Sequence, residues 1–386
     1  MWIKTKILNL NHIWGRTGSA RFIETLMSGL DSERFEYHTL VGYAFAPQEH
    51  TTSIYTTKNS WWYRNFRYKG AVGCNFLLDW MTPGCIDLEY LQKSSVYQSA
   101  NIIHLHCIQG GYFDWKILPL IAREKTIVMT LHDDWIVSGN DPSNLYHPYK
   151  TQHQYKKRSA ILRDTPISYI GVSDWITNKL KNDSILGNNS VRTIYNGIDT
   201  DTFYKRNRQE SRRKLGLPEN KKIIVSLAGS GGKTLAKGLW FVEKIIDQKK
   251  NSGEYLFITL GNSKKQMIGS YLLEESYVSP EQVAEYFSAA DMFLYPTLMD
   301  SFGLIIAESL SCGCPVVSFD TGGVAEVIEH TVNGYVAQRW DIQDLITGFD
   351  YVEQFLFKKH IAMNPLFTQH RLVTEYAALY ETLLLK

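Results

Sequence analysis

Tyr295–Val317, YPTLMDSFGLIIAESLSCGCPVV, is the stretch on which the reading of this chain turns. It runs from a strand end into a glycine turn that bears Asp300. A helix from about Gly303 follows, carrying Glu308, and the small residues Gly313 and Pro315 turn the chain into another apolar strand. Strand, turn, helix and strand in that order describe a doubly wound α/β sheet, whose ligands sit outside the carboxyl ends of the strands. Asp300 then falls at the helix entrance, with the amides of Ser301, Phe302 and Gly303 facing the same space. Such amides and the helix dipole suit a phosphate, and carboxylates suit sugar hydroxyls. The apolar pattern of LIIAESL accounts for neither acid, although a structural salt bridge is the plain alternative.

The same pattern recurs in both directions. At 386 residues the chain is long enough for two α/β domains. Its 44% hydrophobic and 21% charged residues describe an ordinary folded protein. Five cysteines are too few for a disulfide framework, and Cys312 and Cys314 form only CxC, which gives poor support to a zinc site. No signal peptide and no 18-residue apolar run is read, so a cytoplasmic location is expected. Net charge is +2, with 21 Lys/Arg against 17 Asp/Glu in residues 1–200 and 20 against 22 beyond. That asymmetry allows a weak attraction to an anionic surface and does not point to nucleic acid.

Before the organising stretch, Ile3–Ile13 reads as a strand that enters a turn at Gly15 and Gly18. Ser19 is the expected helix cap, and Gly15 and Arg16 are the anion candidates. Residues 61–69 interleave Trp61, Trp62, Tyr63, Phe66 and Tyr68 with Arg64, Arg67 and Lys69. This is a gap-filling cluster or an interfacial acceptor surface against anionic membrane. His104 and His106 share a strand face, as structural histidines or substrate contacts, and a metal reading lacks a third ligand. The stronger site is TIVMTLHDDW, where a buried strand ends at His132. That ring is placed to donate to a sugar hydroxyl with an adjacent carboxylate orienting it.

Asn196-Gly197 turns the chain out of the first domain, and Arg206, Arg208, Arg212, Arg213 and Lys214 read as a solvated helix face. A strand at Lys222–Ala228 opens into GSGGKTLAKG, which matches neither GxxxxGK[ST] nor GxGxxG. Lys237, followed by Gly238 at a helix entrance, is the preferred phosphate contact, with Lys233 beside it. Tyr277–Glu281 are candidates for a base pocket, and Thr321–Glu326 for a phosphate- or sugar-facing turn.

Taken together, these motifs resemble glycosyltransferase family 4 over nearly the whole chain, most strongly from Ile194 to Tyr335. The matching residues are Asp300 and Glu308, with seven residues between them in an acid-x7-Glu pattern, TLHD at Thr130–Asp133, NGID at Asn196–Asp199 with Phe203, and Lys237-Gly238. Two departures stand out. Asp300 replaces the usual glutamate, and Ser230 stands where an arginine is common, with Lys233 as a substitute charge.

The resemblance implies a GT-B fold, α/β, with two Rossmann-like domains and a cleft between them. They would be an acceptor domain at 1–198 and a donor domain at 199–366, with a helix at 367–386 that either closes one domain or crosses back to the other. It implies a retaining transfer of a hexosyl group from a UDP-, GDP- or other nucleotide-sugar to a glycan or lipid-linked glycan. The setting would be surface polysaccharide synthesis on the cytoplasmic side of a membrane. Catalytic roles fall to His132, Asp300 and Lys237. Donor contacts fall to Gly15, Lys233, Lys237, Phe302, Gly303, Leu304 and Glu308, the last on the ribose. No cofactor and no essential metal are expected. A GT-B epimerase, a storage-glucan phosphorylase or synthase, and a sugar-nucleotide-binding protein without transfer are the alternatives.

Overall fold

The computed structural model describes residues 4–15, 17–45, 49–54, 86–109, 112–138, 155–156, 158–183, 186, 189–228, 235–261, 266–268, 271–273, 278–357 and 361–385. Arg16, the aromatic segment 61–69, Gly110, Gly111, Ser230, Lys233 and Tyr277 lie outside these residues. The chain divides into two compact units. One holds the described residues up to Gly197 together with those from Gln369 onward, and the other holds Ile198–Thr368.

The first unit is built on strands β1 (Thr5–Trp14), β2 (Phe35–Ala44), β3 (Thr51–Ser53), β4 (Ile102–Leu105), β5 (Thr126–Leu131), β6 (Ile167–Gly171) and β7 (Ser190–Thr193). They form one parallel sheet in the order β3-β2-β1-β4-β5-β6-β7. Burial on both faces explains why β5 reads as an apolar run rather than as an alternating pattern. The first crossover is α1 (Gly18–Gly29), which buries Phe22, Ile23, Leu26 and Met27 against the sheet. Its cap is Thr17, not the expected Ser19: Thr17 Oγ1 accepts from Ala20 N at 3.2 Å, while Ser19 lies inside the helix. In α2 (Asp174–Lys181) the expected cap, Ser173, accepts from Ile176 N.

The second unit repeats the plan. Strands β8 (Lys222–Leu227), β9 (Tyr255–Leu260), β10 (Gln266–Ile268), β11 (Tyr271–Leu273), β12 (Met292–Leu294), β13 (Val316–Phe319) and β14 (Gly334–Ala337) follow the order β10-β11-β9-β8-β12-β13-β14. All pairs are parallel except β10 with β11. The helices used below are α3 (Arg208–Leu215), α4 (Leu239–Lys249), α5 (Pro280–Ala289) and α6 (Leu304–Ser311).

The basic group on α3 is not simply a solvated face. Arg212 is 5% exposed. Its guanidinium donates to the carbonyls of Ala289, Glu219 and Lys221 and to Asp291 Oδ2 at 2.7 Å. Arg208 takes the other carboxylate oxygen of Asp291, also at 2.7 Å. Asp291 in turn accepts from Ile223 N, so this ion pair closes the amino ends of β8 and β12.

The last helix, α7 (Gln369–Leu384), belongs to the first unit. It buries Leu372, Tyr376, Leu379 and Tyr380 in the same apolar cluster as Phe22, Ile23 and Leu26 of α1. Each such side chain contributes roughly 1.5–3 kcal/mol by leaving water.

Replacing Arg212 with leucine removes the buried one of the two arginines that pair with the Asp291 carboxylate. The expected loss of unfolding free energy is about 3–5 kcal/mol, read from urea denaturation. The exposed Arg213→Leu change should cost less than about 0.5 kcal/mol.

Candidate active site

In each sheet the strand order reverses beside the first strand, between β1 and β4 in one unit and between β8 and β12 in the other. Crossover helices diverge to opposite faces there, and the loops at the carboxyl ends leave a crevice. Of the described residues singled out from the sequence, Gly15 and His132 lie at the first point and Lys237, Asp300 and Phe302–Leu304 at the second.

In the second unit the centre is Asp300. Its Oδ1 accepts from Gly303 N at 2.7 Å and Phe302 N at 3.3 Å. Its Oδ2 accepts from the Tyr295 hydroxyl at 3.0 Å and from Lys237 Nζ at 3.4 Å. Lys237 also donates to the Tyr295 oxygen. The amides of Phe302 and Gly303, expected to face a donor phosphate, are thus engaged by the neighbouring carboxylate. Gly303 is left-handed at φ 85° and Leu304 opens α6. Glu308 lies one turn further on and is 2% exposed.

Burial pulls the Lys237 ammonium down, but Tyr295 and Asp300 more than offset this and hold it above its ordinary value. It is a cation throughout the physiological range. Burial pushes the Tyr295 phenol up to about 12, against the pull of Lys237 and with a push from Asp300. Tyr295 was not singled out from the sequence, where it looks like one more core aromatic at a strand end.

Two glycines allow these loops to meet. A Cβ on Gly238 would lie 1.9 Å from the carbonyl oxygen of Pro296. One on Gly322 would lie 1.8 Å from the carbonyl oxygen of Asp300, to which Gly323 N also donates at 3.1 Å. The TGG turn therefore works here as a close-packed brace for the Asp300 loop. Ser279, inside the proposed base-pocket stretch, caps α5 through a reciprocal pair with Gln282.

In the first unit Gly15 ends β1 at φ 103°. His106 follows β4 and His132 follows β5, with His106 Nδ1 3.0 Å from His132 Nε2. His106 Nε2 lies 3.4 Å from Asn9 Oδ1 on β1. Phe22 packs edge-on against His132 at 4.9 Å between ring centroids. The carboxylate next to His132 has other duties: Asp133 accepts from Gln109 Nε2 and from Trp135 N. Asp134 is buried and paired with Lys179 at 2.6 Å. The contact to His132 Nε2 comes from His106, which the sequence offered only as a structural histidine or a substrate contact.

His104 is a structural residue. Its Nε2 meets Thr130 Oγ1 and its Nδ1 meets the Tyr380 hydroxyl, each at 2.7 Å, and Thr130 also meets Tyr376 at 2.7 Å. Burial drives His104 and His132 down to about 3, with His132 adding to the effect on His104. It drives His106 well below its ordinary value, with its two neighbours adding to the effect. All three rings are neutral at pH 7. Burial raises the thiols of Cys312 and Cys314 to about 12, so neither is a thiolate there.

Comparison with known proteins agrees with this arrangement. Residues 207–355 match the family model described as Glycosyl transferases group 1. The N-acetyl-alpha-D-glucosaminyl L-malate synthase of Bacillus anthracis is 23% identical over 305 residues, covering 73% of this chain and 75% of that protein. The amylovoran biosynthesis glycosyltransferase AmsK of Erwinia amylovora is 31% identical over 116 residues, 26% of this chain and 28% of that one. Among solved structures, Anabaena Alr3699/HepE in complex with UDP-glucose superposes with a TM-score of 0.67 at 16% identity, covering 98% of this chain and 99% of that one.

The fold is GT-B: two Rossmann-like domains, each on a parallel sheet. Within that class the chain is similar to group 1 glycosyltransferases, and the family match lies in residues 207–355.

Two outcomes follow from the packing. Gly322→Ala is expected to destabilise by about 2–4 kcal/mol, because clash adds to the left-handed strain. Gly253→Ala carries similar strain, at φ 68°, with open space around the new carbon, and should cost about 1 kcal/mol. Urea melts of both variants separate the two terms. The histidines set a pH dependence. Their folded values lie below the unfolded value near 6.5, so the unfolded chain binds more protons in between. Stability is full above about pH 6.5 and falls on acidification toward pH 3, by at most about 1.4 kcal/mol per pH unit for each ring. Thermal melts across pH 4–8 check this, and His104→Gln should flatten the slope.

Proposed function

We propose that this protein is a retaining hexosyltransferase. It moves a sugar from a nucleoside-diphosphate donor to a hydroxyl of a glycan or lipid-linked glycan, in the assembly of a surface polysaccharide. The observation that carries the reading is Lys237: a cation fixed at the carboxyl ends of β8 and β12, beside the entrance of α6. A diphosphate leaving group acquires negative charge as the glycosidic bond breaks, and a fixed cation stabilises that charge more than it stabilises the intact donor. Lys237 takes this role, with Lys233 as a second cation and the Leu304 amide at the entrance of α6 as a further donor, since Asp300 holds the Phe302 and Gly303 amides.

Asp300 orients the donor sugar through the loop it holds together, and Glu308 addresses the ribose hydroxyls. Gly15 permits a close approach of donor groups to the end of β1. His132 contacts a hydroxyl of the transferred sugar. No covalent nucleophile is assigned, and attack on the face that the diphosphate leaves accounts for retention. No cofactor or essential metal is invoked. The UDP-glucose held by the Anabaena protein and the biosynthetic title of the Erwinia relative support a nucleotide-sugar donor and a polysaccharide acceptor. The enzyme would work in the cytoplasm or on the cytoplasmic face of a membrane. Among the described residues no helix is long and apolar enough to cross one.

Incubation with a panel of UDP-, GDP- and ADP-sugars, with and without glycan and lipid-linked acceptors, should give an acceptor heavier by one hexosyl unit. Donor consumption without that gain counts against transfer. Lys237→Ala should lower kcat by about 100- to 1000-fold, and Glu308→Ala should weaken donor retention in a binding assay.

A further inference from the structure

Three neighbouring parallel strands carry a line of polar groups at the switch point of the first unit. Asn9 sits on β1, His106 follows β4 and His132 follows β5. Asn9 is fully buried, and its Oδ1, an acceptor only, faces His106 Nε2 at 3.4 Å. Nε2 of His106 is therefore the nitrogen that bears hydrogen. A neutral imidazole has one N–H, so His106 Nδ1 is bare and accepts. The group facing that nitrogen, at 3.0 Å, is His132 Nε2, which must donate. His132 then carries its hydrogen on Nε2 and its lone pair on Nδ1.

Sterics hold the ring as well. The two rings lie end to end along that hydrogen bond, 5.3 Å between centroids and 29° between planes, and Phe22 closes one side of His132 edge-on. His106 is 4% exposed, with His104 at 4.1 Å and Phe22 at 5.7 Å between ring centroids.

We infer that His106 is a positioning residue. It fixes His132 as the Nε2–H tautomer, so that Nδ1 of His132 meets the transferred sugar as a hydrogen-bond acceptor and selects a ring hydroxyl that donates. This rests on the reading that His132 contacts the sugar, and it reverses the donor role expected of that ring. It also assigns the orientation of His132 to a histidine one strand away rather than to Asp133.

The test has a spectroscopic arm and a kinetic arm. Long-range 1H–15N correlation spectra of the full chain with 15N-labelled histidine report which ring nitrogen bears hydrogen, with no turnover needed. The wild type should show His132 as Nε2–H near pH 7.5. His106→Leu removes the acceptor and should leave His132 as a mixture of tautomers. In His106→Asn the side-chain oxygen replaces Nδ1, and the Nε2–H pattern should return.

With the donor found by the panel, His106→Leu should lower kcat by about 10- to 100-fold with donor KM changed less than about threefold, and His106→Asn should recover most of the loss. An Nδ1–H tautomer in the wild type overturns the inference. So does a His106→Leu protein with native circular dichroism, an unchanged His132 pattern and undiminished kcat. If no donor supports transfer, the functional reading fails, and the His132 tautomer still decides the positioning claim.

Discussion

One carboxylate holds the loops of the second sheet together. In a parallel sheet every crossover leaves from the same end, and those departing loops have no ladder of their own. Asp300 supplies the missing ties. Its side chain gathers two amides at the entrance of α6, a tyrosine from the end of β12 and a lysine from the segment after β8. Its carbonyl receives Gly323 from the segment after β13. Loops from three neighbouring strands thus converge on a single residue. The shorter reach of aspartate compared with glutamate fits this duty, since a carboxylate that caps the amides two and three residues ahead must stay close to its own backbone.

The two switch points use opposite electrostatics. In the second unit a lysine, a phenol and a carboxylate lie within hydrogen-bonding range of one another, and mutual attraction keeps the lysine charged. In the first unit three histidine rings are held neutral by desolvation, with neighbouring rings adding to the effect on His104 and His106. A fixed cation suits a developing anion, whereas neutral rings with defined protons suit hydroxyl groups whose charge does not change. The two switch points therefore differ in charge state.

Local rules carried the fold far. Buried parallel strands announce themselves as short apolar runs, as Tyr255–Leu260 does, and Ser173 and the Gly303 turn mark helix starts in the expected places. The misses share one physical cause: they are contacts between residues remote in sequence. Arg212 looks like one charge in a basic helix until Asp291, 79 residues away, is folded against it. His106 looks like a core histidine until β5 brings His132 alongside. Tyr295 shows no polar function until Lys237 and Asp300 meet its hydroxyl. Periodicity and capping report a residue's own neighbourhood, and none of these partners is within it. For the acid-x7-Glu stretch, spacing identified the segment, but only the fold shows that the aspartate spends its acceptors on its own turn and on Tyr295 and Lys237.

The helix that ends the chain has a consequence for how the protein is made. Tyr376 and Tyr380 complete the polar and apolar interior around His104 and Phe22, yet they leave the ribosome after all of Ile198–Thr368. At roughly 5–20 residues per second, that intervening unit takes on the order of 10–30 s to synthesise. The later-encoded unit therefore has its whole sequence first, while the unit that begins the chain waits, with His104 and Thr130 lacking their tyrosine partners. A ribosome that stalls within the codons for Gln369–Leu384 would release a protein with the whole sequence of the second sheet and an unfinished first one.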